Sequence, residues 1–167
     1  MLAVLSDTHA TADPPLTDAI REALADATVT VHAGDFTTPA VLDTFEAATD
    51  RLVAVQGNRD ALGVRERLPE TATVEALDRR ILVVHGHEHH STSLPLLARQ
   101  EEADVVIVGH THRPGIERVG QVTVLNPGSH ADPRGNRPAF ATVGQARGGV
   151  EGQLRTPAGD VFERAGL

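Results

Sequence analysis

Five short runs of apolar, mostly β-branched residues constrain this chain more than anything else in it: LAVLS (2–6), TVTVH (28–32), RLVAVQ (51–56), RRILVV (79–84) and DVVIVG (104–109). Each has the length of a buried strand rather than of a helix. Between them lie stretches with helical spacing. PPLTDAIREALADA (14–27) opens on Pro and repeats Leu16, Ile20 and Leu24 on one face, with acids on the other. TPAVLDTFEAAT (38–49) offers Thr38 as an N-cap and Pro39 at the first helical position. STSLPLLARQEEA (91–103) reads as a third helix, broken near its start by Pro95. Strands alternating with helices predict parallel pairing through crossover connections. Beyond residue 115, GIERVGQVTVLNPGS, RPAFATVGQ and GGVEGQLRT read as short strands joined by Gly-rich turns. They predict an antiparallel ladder that completes the sheet, or a second one. The final PAGDVFERAGL (157–167) reads as a short helix or a frayed tail. The expectation is one α/β domain over residues 1–167.

Polar residues follow the end of every early strand. Asp7-Thr8-His9 comes after the first, Gly34-Asp35 after the second and Gly57-Asn58-Arg59-Asp60 after the third. His85-Gly86-His87 and His110-Thr111-His112 follow the fourth and fifth. In parallel α/β sheets the βα loops converge at this edge, and ligands bind there. A lone Asp or Asn in such a loop is more often a cap or turn residue, and a lone His is usually solvated. Here Asp7, His9, Asp35, Asn58, His85, His110 and His112 bring seven oxygen and nitrogen donors from five strand ends. Pairs spaced i, i+2 in extended backbone point the same way, so Asp7/His9 and His110/His112 each read as a two-ligand clip. Glycines beside the donors (Gly34, Gly57, Gly86, Gly109) allow sharp turns and close approach. The joint pattern points to a metal site. That also accounts for part of HGHEHH (85–90), which by itself would suit a metal site, a proton-handling site or a plain polar loop.

Composition removes other classes. The chain has no Cys, which excludes disulfides, thiolate zinc sites and cysteine nucleophiles together. MLAVLSDTHA lacks a basic n-region and a small-residue cleavage site, so it reads as a first strand and not as a signal peptide. No apolar window approaches the roughly 18 residues of a membrane span, and the default location is cytoplasmic. The formal net charge is −8, with 15 basic residues, all Arg, against 23 acids. That balance argues against a surface that coats nucleic acid. It fits either a GC-rich genome or a high-salt cytoplasm.

In their order and spacing, DTH, GD, GNRD, HGH and GHTH, followed by LNPGS (125–129), resemble the calcineurin-like metallophosphoesterase superfamily. The closest likeness is to its compact single-domain archaeal and bacterial phosphodiesterase branch, and it runs from residue 3 to about 155. The resemblance implies a double β-sheet sandwich flanked by helices (αββα) with a two-metal centre. Asp7, His9, Asp35 and His112 would hold the first ion. Asp35 would bridge to a second, completed by Asn58, His85 and His110. A sulfur-free set of imidazole, carboxylate and amide donors suits Mn, foremost, and Fe, Zn, Co or Ni. Two such ions can share a hydroxide that attacks a phosphoester in line with its leaving group. With two aspartates they leave a local charge of about +2, able to hold phosphate within an acidic chain. No protein nucleophile is evident, and Ser6, Ser91 and Ser129 suit structural roles. His87 has a counterpart in the relatives and reads as a supporting or substrate-facing group. His89 and His90 read as exposed loop. His32 reads as a hydrogen-bonded structural histidine, and for His130 a place at the mouth of the site is the lesser alternative.

The chain departs from the family after Asn58. Many members have a His there, paired with the following acid, that protonates the leaving group. Here Arg59 precedes Asp60. Arg cannot act as a general acid, but it can clamp a phosphate oxygen and stabilise the transition state. The function implied is hydrolysis of a small phosphoester, a phosphodiester before a monoester. Nucleotide or dinucleoside-polyphosphate hydrolysis is the alternative within the class. A non-catalytic protein-binding scaffold, like the retromer subunit of this fold, is the alternative outside it. Oligomeric state is left open.

Overall fold

In the computed structural model, which describes residues 1–88 and 93–167, each of the five apolar runs is a strand. The first half of the chain forms β1 (Leu2–Leu5), α1 (Asp18–Asp26), β2 (Val29–His32), α2 (Pro39–Ala47), β3 (Leu52–Ala54), α3 (Leu62–Arg65), β4 (Thr71–Ala76) and β5 (Arg79–Val84). The second half forms α4 (Leu94–Gln100), β6 (Val105–Ile107), β7 (Gly115–Val119), β8 (Val122–Asn126), β9 (Phe140–Ala146), β10 (Gly149–Arg155) and β11 (Val161–Gly166).

Two sheets result, ordered β11-β10-β9-β1-β2-β3 and β4-β5-β6-β8-β7. In the first, parallel β1-β2-β3 runs out to the β3 edge and antiparallel β9, β10 and β11 complete the other side; the second has a parallel centre, β5-β6-β8, with antiparallel β4 and β7 at its edges. Strands β1, β5 and β6 carry continuous apolar runs because both of their faces are covered. Leu2 and Val4 of β1 join Val31, Ile81, Val83, Val105, Ile107 and Leu125 in a core between the sheets. Ala3 and Leu5, from the other face of β1, pack with Ile20 and Leu24 of α1 and Leu42 and Phe45 of α2. On the far side, Leu82, Val84 and Val106 pack against Leu94 and Ala98 of α4. This is the helix–sheet–sheet–helix layering expected.

Local details depart from the sequence reading, each for a physical reason. α1 begins after Thr17, whose hydroxyl accepts from Ile20 N at 3.3 Å, so the Pro pair precedes the helix instead of opening it. Thr38 caps α2 as expected. Pro95 lies in the first turn of α4 and does not break it, because a first-turn N–H has no intrahelical acceptor to lose. β8 pairs parallel with β6, so the late strands are not a purely antiparallel ladder. The tail read as a helix or frayed end is β11, an edge strand on β10. A piece this short cannot sustain an isolated helix, whereas β10 offers it a row of unpaired backbone groups, and Arg137 covers its Phe162 ring at 4.6 Å.

β4 was not expected, because it is an edge strand with one half-buried face and pairs with β5 through an unmarked turn. That turn places Leu77 and Asp78 at φ 55° and 56°, the left-handed pair of a type I′ hairpin, which normally calls for Asn-Gly. Leu77 is held there by packing on the core between the sheets, whereas Asp78 is exposed, so Asp78→Gly alone should stabilise the fold by roughly 0.5–1 kcal/mol, read as a higher urea midpoint at unchanged slope.

Candidate metal centre

The seven donors named from the sequence converge where the two sheets meet. Asp7 and His9 continue from β1, their N–H groups bonded to the carbonyls of Gly34 and Asp35 at 3.0 Å each. The two sheets are tied here by site residues. His110 N donates to Asp7 Oδ2 at 2.9 Å, and His85 Nδ1 donates to the Ala33 carbonyl at 2.7 Å. Asp7, Asp35, His85 and His112 are buried, while His110 is exposed.

The side chains form two overlapping groups, Asp7 with His9 and His112, and Asp7 with Asp35 and His85. His112 Nε2 lies 3.3 Å from Asp7 Oδ1. His9 Nε2 and His85 Nε2 each lie 3.3 Å from the same oxygen, Asp35 Oδ2. Asn58 Oδ1 is 3.1 Å from His85 Nε2 and 3.2 Å from His110 Nδ1. The His110/His112 clip thus splits, one ring toward Asn58 and the other toward Asp7. Nor are the clips extended as expected: Asp7, His9, Asp35, His110 and His112 have φ of 53°, 46°, 63°, 67° and 57°. Left-handed backbone at five non-Gly donors is strain of the kind concentrated at functional sites.

The hydrogen bonds decide which ring atoms face inward. A carbonyl can only accept, so the Ala33 carbonyl fixes the proton of neutral His85 on Nδ1. The Asp132 carbonyl does the same for His112 Nδ1. The Nε2 lone pairs then point at Asp35 Oδ2, Asn58 Oδ1 and Asp7 Oδ1, acceptor against acceptor. His112 Nε2 is buried with no hydrogen-bond partner. Only a cation, a proton or a metal ion, reconciles such neighbours, and the donor set fits a divalent one. Burial opposes the charge on Asp35, yet when the cation is a proton on His85 Nε2 the hydrogen bond and charge of that ring, with the Arg59 N–H and His9, outweigh it and hold the Asp35 pKa down at about 2.

The calcineurin-like phosphoesterase superfamily domain matches residues 1–147. This chain belongs to that superfamily. It is 33% identical over 148 residues to a probable metallophosphoesterase of Methanothermobacter thermautotrophicus, covering 86% of this chain and 84% of the relative. It is 34% identical over 142 residues to a phosphodiesterase of Methanocaldococcus jannaschii, covering 76% and 82%. Among solved structures, an E. coli phosphoesterase superposes with a TM-score of 0.78 at 23% identity, covering 99% of this chain and 98% of that one. Vps29 from Entamoeba histolytica, solved with zinc, superposes at 0.79 and 22% identity, covering 98% and 97%. The members named phosphodiesterases and metallophosphoesterases make this chain a hydrolase of phosphoester bonds, and the superfamily implies divalent metal ions.

Several residues acquire roles that sequence alone did not give them. Asp60 is buried and accepts from the backbone N–H of Gly57, Thr37 and Asp35 at 2.7, 2.7 and 3.2 Å. It pins the β2 and β3 loops together and is taken up as a scaffold, not as partner to an acid. A Cβ on Gly57 would lie 2.1 Å from Asp35 Oδ1, and one on Gly109 would lie 1.9 Å from Ser6 Oγ, so only glycine fits at either place. Asn126 donates to the Gly109 carbonyl and the Thr111 hydroxyl, holding the turn into His110. Ser129 donates to the Asp7 carbonyl and accepts from Asp132 N, which gives it the structural role expected.

Arg59 donates its backbone N–H to Asp35 Oδ1 at 2.7 Å, and its side chain is exposed. The His87 ring lies 5.4 Å from that of His85 and 6.2 Å from that of His110. It lines a cavity of about 420 Å³ together with Asn58, Arg65, Glu70 and Glu88. His32 bonds the Thr8 hydroxyl at 2.9 Å and stacks on Phe36, a structural histidine as expected. His130 is buried, and neither ring nitrogen has a partner. His89, His90 and Ser91 lie outside the described residues.

Two outcomes follow. Asp60→Asn replaces an oxygen acceptor by an N–H donor facing backbone N–H groups. It should cost about 2–4 kcal/mol in urea unfolding and weaken Mn²⁺ binding in calorimetry. Burial lowers the His130 pKa to about 4. The unfolded state, with an ordinary His pKa near 6.5, therefore binds the extra proton first. The stability tied to neutral His130 is whole above pH ~6.5 and is lost on acidification toward pH ~4, about 2 kcal/mol of it by pH 5. In chelator, the drop in melting temperature between pH 7 and pH 5 should be smaller in His130→Phe.

Proposed function

We propose that this chain is a phosphodiesterase working with two divalent metal ions, and that residues 1–167 act as one domain. The observation that carries the reading is the crowding of buried carboxylates by imidazole nitrogens: His112 Nε2, with no hydrogen-bond partner, 3.3 Å from Asp7 Oδ1, and His85 Nε2 3.3 Å from Asp35 Oδ2. Asp7, His9, Asp35 and His112 are assigned to the first ion, and Asp35, Asn58, His85 and His110 to the second. His9 and His85 approach Asp35 Oδ2 equally, at 3.3 Å each, which supports Asp35 as the residue that would serve both ions. Mn²⁺ is the proposed ion, with Fe, Zn, Co and Ni compatible with the same donors. When bound, the pair supplies positive charge for the phosphoryl oxygens and a shared water acidified toward pKa ~7 as nucleophile.

The chain's own residues do the rest. Asp60 and the glycines hold the loops so that the donors need not reorganise. The Arg59 guanidinium, on the residue whose N–H fixes Asp35, clamps a phosphate oxygen but has no proton to give the leaving group. His87 faces the substrate from the cavity wall beside Asn58. Without a general acid at position 59, esters with good leaving groups are favoured. A diester is preferred to a monoester because the relatives named by substrate are phosphodiesterases. No helix among the described residues is long and apolar enough to cross a membrane, and a cytoplasmic site of action is proposed. The acid excess supports a high-salt setting. The fold shared with Vps29 supports a second reading, a protein-binding scaffold. The complete donor set favours the enzyme.

The deciding experiment strips the protein with chelator, reloads it with Mn²⁺, and compares bis(p-nitrophenyl) phosphate with p-nitrophenyl phosphate in low salt and in molar KCl. Diester hydrolysis should return only with metal. Arg59→Ala should lower turnover by about 10²-fold while metal content by elemental analysis stays the same. Metal binding without turnover of either ester would favour the scaffold.

A further inference from the structure

One cation at the centre belongs to no motif. Arg134 lies in the loop between β8 and β9, and its Nη2 donates to His9 Nε2 at 3.3 Å. The loop is built to hold it there. Ser129 Oγ ties the loop to the Asp7 carbonyl at 2.7 Å and accepts from Asp132 N at 2.8 Å. Ala139 N closes the loop onto the Ser129 carbonyl at 3.0 Å. Asp132 then serves the site twice. Its carbonyl receives the Nδ1 hydrogen of His112, and its carboxylate accepts from Arg134 Nε at 3.0 Å. The residue that sets the tautomer of one donor therefore also aims the guanidinium at another.

The turn that presents Arg134 is unfavourable for it. Asn136 N donates to the Pro133 carbonyl at 2.9 Å, and the two central residues, Arg134 and Gly135, have φ of 48° and 83°. Both being positive makes this a type I′ turn, whose first central position favours Asn, Asp or Gly. A long side chain at left-handed φ costs stability. An arginine needed only to neutralise Asp132 would have no reason to sit there. Nor can its present acceptor persist, because a metal ion on His9 takes the Nε2 lone pair. The Nη2 hydrogen, still aimed by Asp132, then faces whatever anion the metal holds.

We infer that Arg134 is a second phosphate clamp, binding a non-bridging oxygen of the phosphoryl group from the His9 side of the centre. The inference rests on the phosphodiesterase reading above and adds a residue to it. Arg59 follows Asn58 in the β3 loop and Arg134 reaches His9 from the β8–β9 loop, so the two arginines belong to different loops and neighbour different donors. That arrangement suits a phosphoryl anion whose two non-bridging oxygens each need a donor. Two forked cations also replace, electrostatically, some of what an absent general acid would contribute.

The test loads the full chain with Mn²⁺ and titrates it with inorganic phosphate, alongside Arg134→Gly, Arg134→Gln and Arg134→Lys. Arg134→Gly should raise the melting temperature by a few degrees, since it relaxes the turn, and should weaken phosphate binding by ~10-fold or more. Arg134→Gln should weaken it similarly, and Arg134→Lys should recover part of the loss. KM for the diester should rise with the phosphate Kd, with Mn²⁺ content constant. Phosphate affinity within twofold of wild type in Arg134→Gln would overturn the inference while leaving the enzyme intact. Tighter Mn²⁺ binding with unchanged phosphate affinity would make Arg134 a mere occupant of the His9 lone pair. A Mn²⁺-loaded wild type that neither binds phosphate nor cleaves the diester would remove both the inference and the reading beneath it.

Discussion

Two carboxylates buried in the seam between the sheets set the terms for everything around them. Asp7 and Asp35 are 0% and 2% exposed, and an isolated buried carboxylate is costly unless paired and hydrogen-bonded. Each is satisfied on one side by backbone: Asp7 by His110 N, and Asp35 by Arg59 N. On the other side each faces imidazole nitrogens whose hydrogens point away. The inward half of the site is therefore short of positive charge. A proton on His85 supplies some of it, since Asp35 overcomes the burial that would otherwise lower the His85 pKa. A metal ion held by His85 would supply more and would have to displace that proton, coupling loading to proton release.

Rigidity follows from the same constraint. Five donors sit in left-handed backbone, each at an order-of-magnitude cost of 1–3 kcal/mol, and such strain persists only if its surroundings over-determine it. Asp60 does so with three backbone N–H groups, Ser129 with the Asp7 carbonyl, and Asn126 with the turn ahead of His110. Gly57 and Gly109 admit the Asp35 and Asp7 side chains into space a Cβ would occupy. None of these residues needs to touch an ion, yet together they keep the donors in place when none is bound.

This division explains how much could be read in advance. The central strands were legible because β1, β5 and β6 carry runs of consecutive apolar residues and β2 carries β-branched ones, a local property. The seven donors were legible because each lies within a few residues of the end of β1, β2, β3, β5 or β6. The edge strands β4 and β11 were not, because each is a short, half-exposed hairpin partner of β5 or β10 without a continuous apolar run, and the β4–β5 turn uses Leu77-Asp78 where a marked hairpin would use Asn-Gly. The supporting residues were obscure for a similar reason. Asp60 was visible as an acid beside Arg59, but its acceptors' role depends on Thr37 and Asp35 arriving from the β2 loop. Asp132 and Arg134 lie in a Pro- and Gly-containing loop that reads as a plain turn until Ser129 is seen to dock it on Asp7.

The superposition with Vps29 shows why the frame alone does not specify a function. The sandwich core of Leu2, Val4, Val83 and Ile107 would pack as well beneath an empty edge as beneath a reactive one. What distinguishes this chain is charge arranged against its own average. A net −8 molecule repels phosphate at long range, yet it gathers acceptors that demand cations in the seam. It also places Arg65 on the Asn58 carbonyl at 2.9 Å and Arg134 on His9. Guanidiniums stay charged at any working pH and are less strongly hydrated than ammonium groups, so they hold an anion at a rim where bulk salt competes. An all-arginine basic complement within an acidic chain therefore leaves its fixed cations at the rim of the donor set while the average charge stays negative.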